Sequence, residues 1–138
     1  GSSAFTSTQI YFNGTSGNTY VFYIYAPVTG YSKFGSYTGN GSADGPFVYC
    51  GFRPRFIIFK RTDSTSDWHM YDSSRDTYNV MQDYLAADIS NAEQAVIFGD
   101  FLSNGFKLRS SGAGFNASSA TFIYAAFAEN PFNYSLAR

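Results

Sequence analysis

Residues 51–75 read GFRPRFIIFKRTDSTSDWHMYDSSR, and this stretch decides the fold. Phe56, Ile57, Ile58 and Phe59 form an aromatic and β-branched run, with Pro54 before it and Thr62, Asp63 and Ser64 after it. A run of this kind bounded by turn formers predicts a strand. Residues 63–67 hold no apolar side chain and suit a hairpin loop. Residues 67–72 then alternate, with Trp68 and Met70 on one side and His69 and Tyr71 on the other. The reading is a long β-hairpin whose first strand is apolar on both faces, with the rest of the chain packed around it.

The composition agrees. At 138 residues the chain is long enough for one domain with a real core. Aromatic residues make up 20% and charged residues only 14%, which favours strands and excludes disorder. The net charge of −1 comes without a basic stripe, so nucleic acid is not an expected partner. No apolar run approaches the ~20 residues of a membrane-spanning helix, and no signal-peptide pattern is visible, so membrane insertion is not expected. The opening GSSAFTST reads as a tag scar or a cut from a longer chain. Cys50 is the only cysteine, which rules out an intrachain disulfide. Its place between Tyr49 and Gly51 predicts an inert strand thiol, since no neighbouring cation is there to activate it.

Further strands are expected over residues 5–12, 19–26, 46–50, 78–85, 96–98, 105–108 and 121–128. A short one is also expected within the Gly- and Ser-rich stretch 28–44. Residues 86–95 (AADISNAEQA) alone have helix-friendly composition, with Ser90 and Glu93 at capping-box spacing, and predict one or two short turns. The fold expectation is an all-β antiparallel sandwich, jelly-roll-like.

The chain also resembles itself. Residues 19–22 (TYVF) match residues 121–124 (TFIY), and Ala26 falls on Ala128. Phe12-Asn13-Gly14 matches Phe115-Asn116-Ala117, and Phe5-Thr6-Ser7 matches Phe101-Leu102-Ser103. A biased alphabet is one explanation. The favoured one makes residues 1–27 the closing hairpin of a preceding unit, residues 35–131 the main module and residues 132–138 an extended tail.

Three strands, 19–26, 56–59 and 121–128, carry apolar residues on both faces. A two-layer fold of this length covers one face of each. The surplus predicts association, with Tyr23, Tyr25, Ile57, Phe59 and Phe127 as interface candidates.

Residues 38–61 (TGNGSADGPFVYCGFRPRFIIFKR), 67–79 (DWHMYDSSRDTYN) and 100–132 (DFLSNGFKLRSSGAGFNASSATFIYAAFAENPF) together resemble a repeated domain of tail-fibre and appendage proteins of marine tailed phages. The resemblance implies a non-enzymatic structural module of a virion. It implies self-assembly, with a trimer as first choice, other virion proteins as partners, and a host-attachment surface. It implies no catalytic residue and no cofactor.

The residues themselves offer little chemistry. His69 lies near Asp67 and Asp72, the raw material of a general base, but one His and no G-x-S-x-G make a triad a poor reading beside a surface strand histidine. Asp63 and Asp67 lack the offsets of a calcium loop, so no metal is expected. Asn-x-Ser/Thr matches at Asn13, Asn40, Asn116 and Asn133 read as turns. The rival function is a carbohydrate-binding module, with His69, Tyr71, Arg75 and Tyr78 as candidate glycan contacts. A hydrolase acting on polysaccharide ranks last.

Overall fold

The structure is a computed structural model that describes residue 12 and residues 14–131. Among the described residues, eight strands occupy β1 Ser32–Thr38, β2 Phe47–Tyr49, β3 Pro54–Arg61, β4 His69–Asp72, β5 Met81–Ala86, β6 Gln94–Leu102, β7 Gly105–Leu108 and β8 Thr121–Ala128. The one helix among the described residues, α1 Ala113–Asn116, is short and precedes β8. All neighbours are antiparallel, and the strands form one sheet in the order β1-β8-β3-β4-β5-β6-β7-β2. The all-β expectation therefore holds. The expected two layers come from one continuous sheet rolled on itself, nearer to a barrel than to a sandwich.

The hairpin of β3 and β4 forms as its sequence dictates, with Ile57 opposite Tyr71 and Phe59 opposite His69. β8 then inserts between β1 and β3, pairing Tyr37 with Phe122 on one side and Phe59 with Tyr124 on the other. Every strand is pleated, so alternate residues turn inward. The inward set carries the core: Tyr37, Ile57, Phe59, Tyr71, Phe98, Phe106, Phe122 and Tyr124 are all buried.

Ring contacts across this core show the curl. Phe59 of β3 stacks on Phe98 of β6 at 4.9 Å, and Phe106 of β7 meets Tyr124 of β8 edge-on at 5.3 Å. These strands are not neighbours in the sheet, so the sheet must bend until its ends approach. Gly105 permits one close approach: a Cβ there would lie 2.1 Å from the Val48 carbonyl oxygen of β2.

Three expectations change. Residues 86–95 hold no helix; β5 runs to Ala86 and β6 starts at Gln94, and the ladder through Tyr84 and Gln94 claims the segment ends. The helical turn sits at α1 instead. The stretch 28–44 contains a full seven-residue strand, β1. Residues 19–26 form no strand and lie outside the sheet, joined to β1 through a turn closed by a bridge between Val28 and Ser32. The expected strand 5–12 (but for residue 12) and the tail 132–138 lie outside the described residues.

Candidate functional site

The two faces of the sheet differ in chemistry and in cover. On the outward face of β1, β8 and β3, Phe34 pairs beside Ala125, which pairs with Ile58, and Phe127 pairs with Phe56. None of these outward side chains is fully buried. Phe34 and Phe127 meet edge-on at 5.9 Å, and Phe56 lies 6.1 Å from Phe127. Residues 19–26 approach this face, and Tyr25 stacks on Phe34 at 5.1 Å. Between that segment and the sheet lies an open groove of about 900 Å³, with Trp68 at its far wall. The Lys60 ammonium sits 5.9 Å from the Trp68 ring and donates to the Ser66 carbonyl. The groove is thus aromatic and aliphatic, with one cation at its rim.

The sequence-derived interface set divides along this boundary. Tyr23, Tyr25 and Phe127 do belong to the outer groove. Ile57 and Phe59 do not: both are fully buried on the inner face. Their neighbours Phe56 and Ile58 take the outer positions. The alternation holds, but a run apolar on both sides does not tell which side is inside.

The four glycan candidates are not brought together as a surface platform. Tyr71 has no exposed surface, and its hydroxyl donates to the Val96 carbonyl at 2.9 Å. Burial, helped by the nearby Tyr84, Asp76 and Asp83, holds that phenol well above its ordinary pKa. His69 is 6% exposed, which corrects its reading as a surface residue. It packs among the rings of Phe115, Tyr84 and Phe59 at 4.7, 5.1 and 5.3 Å. Burial lowers its pKa against the opposing pull of Asp67 and Asp88, so the ring is a neutral core group. Arg75 lies between Asp72 at 3.3 Å and Glu93 at 3.2 Å. Tyr78 alone shows its ring to solvent, 84% exposed.

The remaining reactive groups are engaged structurally. Cys50 is buried, and desolvation pushes its thiol up to about 11. Asp63 is tied to Arg61 at 2.6 Å. Among the described residues, no group of three or more His, Cys, Asp and Glu side chains is placed to hold a metal ion.

Two groove residues carry little signal in the sequence. Trp68 reads as a strand residue, and only its outward phase beside buried His69 marks it for the groove. Phe34 was hidden in a Gly- and Ser-rich stretch, with no signal that it would extend the aromatic face.

Comparison with known proteins gives one family. Residues 1–131 match the family model described as a domain of unknown function, DUF7483. No curated protein and no solved structure matches the chain at a significant level.

Proposed function

We propose that this chain, which belongs to the DUF7483 family, is a non-catalytic structural module that works by association through the outer face of β1, β8 and β3. One observation carries the reading: the open aromatic groove on that face, bounded by Phe34, Phe127, Ile58 and Trp68. Burying one large apolar side chain is worth about 1.5–3 kcal/mol, so a face holding several of them favours contact with another surface over contact with water. The likeness of residues 38–61, 67–79 and 100–132 to virion appendage domains supplies the setting: a self-assembling building block of a virus particle that presents a host-attachment surface. The groups with perturbed proton affinity support the absence of catalysis, since His69, Tyr71 and Cys50 are buried as parts of the core.

Light scattering on the purified chain tests the reading. The expected mass is a multiple of the 15.2 kDa chain. Ile123→Glu, on the outer face of β8, is expected to return it to one chain with the fold intact by circular dichroism. A wild-type protein that stays at single-chain mass as its concentration is raised would sink the proposal.

A carbohydrate-binding module remains the second reading, moved from Tyr71 to the groove. Trp68, half-buried with Lys60 over its ring, is the side chain that favours it. Binding to a glycan array that Trp68→Ala abolishes, while the oligomeric mass is unchanged, would support this reading over pure assembly.

A further inference from the structure

We infer that residues 19–26 form an intermolecular strand, and that they pair with the free edge of β1 in a second copy of this chain. The inference rests on the association reading above and names the segment and the edge that meet.

The donor is legible in its own sequence. Residues 19–26 (TYVFYIYA) align without a gap on β8 (TFIYAAFA). Both begin with Thr and end with Ala, and every position between is apolar or aromatic. β8 is the strand that β1 already accepts along its full length. Yet residues 19–26 pair with nothing in the sheet, and Val21, Tyr23, Ile24 and Tyr25 remain 62–79% exposed. A strand sequence left unpaired, with its side chains in water, lacks its partner rather than its propensity.

The acceptor follows from hydrogen-bond alternation. Ala128 donates to the Tyr31 carbonyl, and Gly39 donates to that of Ala120. Odd-numbered residues of β1 therefore face β8. In an antiparallel ladder the even-numbered residues then point their N–H and C=O groups the other way. Ser32 confirms the phase, since its N–H reaches the Val28 carbonyl on that opposite side. Beyond Ser32, the outward groups of Phe34, Ser36 and Thr38 have no hydrogen bond among the described residues. The edge is open and unprotected, the condition for strand addition.

The chain's own segment does not fill it. Continuing the turn that pairs Val28 with Ser32 would set Ala26 opposite Phe34 and Ile24 opposite Ser36. That register turns Tyr23 and Tyr25 inward, beside Tyr37. The structure instead holds Tyr25 on the outer side, stacked on Phe34. A segment from a second copy is free of that turn. It can lay Val21, Tyr23 and Tyr25 outward as β8 lays Ile123, Ala125 and Phe127, and so continue the aromatic outer face by one strand.

The test uses the full chain and light scattering, with three variants. Ser36→Pro removes the outward N–H at the middle of the edge, on the side where a strand tolerates proline. Ile24→Lys places a charge in the donor, at a side chain 70% exposed and outside the core. Ile123→Glu disrupts the outer face itself. The inference expects wild type to associate and each of the first two variants to run at single-chain mass, with native circular dichroism for Ile24→Lys in any case. Association that survives Ser36→Pro and Ile24→Lys but not Ile123→Glu overturns the strand pairing while leaving the association reading intact. A wild-type monomer overturns both.

Discussion

His69 shows how a single side chain changes meaning with its surroundings. In sequence it stands between two carboxylates and invites a catalytic reading. In the fold it is one ring in an aromatic cluster with Phe59, Tyr84 and Phe115, and desolvation lowers its proton affinity. The folded ring therefore binds a proton less readily than the unfolded one, whose pKa is about 6.5. Below that value the unfolded chain gains protons that the folded chain resists, so stability falls as pH drops through 6.5 towards the lower folded value. Urea melts between pH 7.5 and pH 5 are expected to show this loss, and His69→Phe, which keeps a ring in the cage, is expected to remove its share. An acid limb equally steep in the variant would assign the effect to other groups. The exposure of Tyr78 and the burial of Tyr71 were equally hidden in the sequence. Both are tyrosines in a polar stretch, and only the pairing of β4 with β3 and β5 sends one of them inward.

At the scale of elements, the long apolar runs were readable and the irregular ones were not. β3, β4 and β8 carry patterns strong enough to place both faces, because period-2 alternation survives any context. The choice of inner face was not readable, since Ile57 and Phe59 look no different from Phe56 and Ile58 until β8 is seen beside them. β1 was masked by Gly35 and Ser36. The helix α1 has no propensity to announce it, with glycines at 112 and 114, and its position is held by contacts far away in sequence. Asn116 is the hub of those contacts. Its side chain is fully buried. Its Nδ2 lies 2.9 Å from Asn40 Oδ1 and 2.8 Å from each of the Ser42 and Ser110 carbonyls, which share its two N–H groups, and its Oδ1 accepts from the Asn40 N–H at 2.9 Å. This one amide clamps the 39–46 loop and α1 together over the end of the sheet. Asn116→Ala takes a partner from part-buried groups of Asn40, Ser42 and Ser110, at about 1–3 kcal/mol for each group not rescued by water. The expected outcome is a fall in unfolding free energy of about 3 kcal/mol in urea titration, while the far-ultraviolet spectrum of the sheet is retained. A loss below about 0.5 kcal/mol, the scale of an ordinary surface change, would show that the clamp is not needed.

For the whole molecule, the sequence predicts a surplus of apolar strand surface, and the fold covers one side of it. The inner face is closed by the roll of the sheet. The outer face on β1, β8 and β3 stays open as a groove. Contact made through such a face is driven by apolar burial, which weakens on cooling and responds little to moderate salt. Sedimentation measurements are therefore expected to show tighter self-association at 25 °C than at 5 °C, and near-equal values at low and moderate sodium chloride. Association that strengthens in the cold or collapses with salt would point to charge pairing instead. The position of β8 has one more consequence. It is the wedge between β1 and β3, so the first strand of the sheet finds its neighbour only when the last one arrives. On a ribosome, everything from β1 through β8 must emerge before that pair can zip. Long-range pairings of this kind slow folding, so the nascent chain must wait with its greasy edges bare, a natural client for a chaperone.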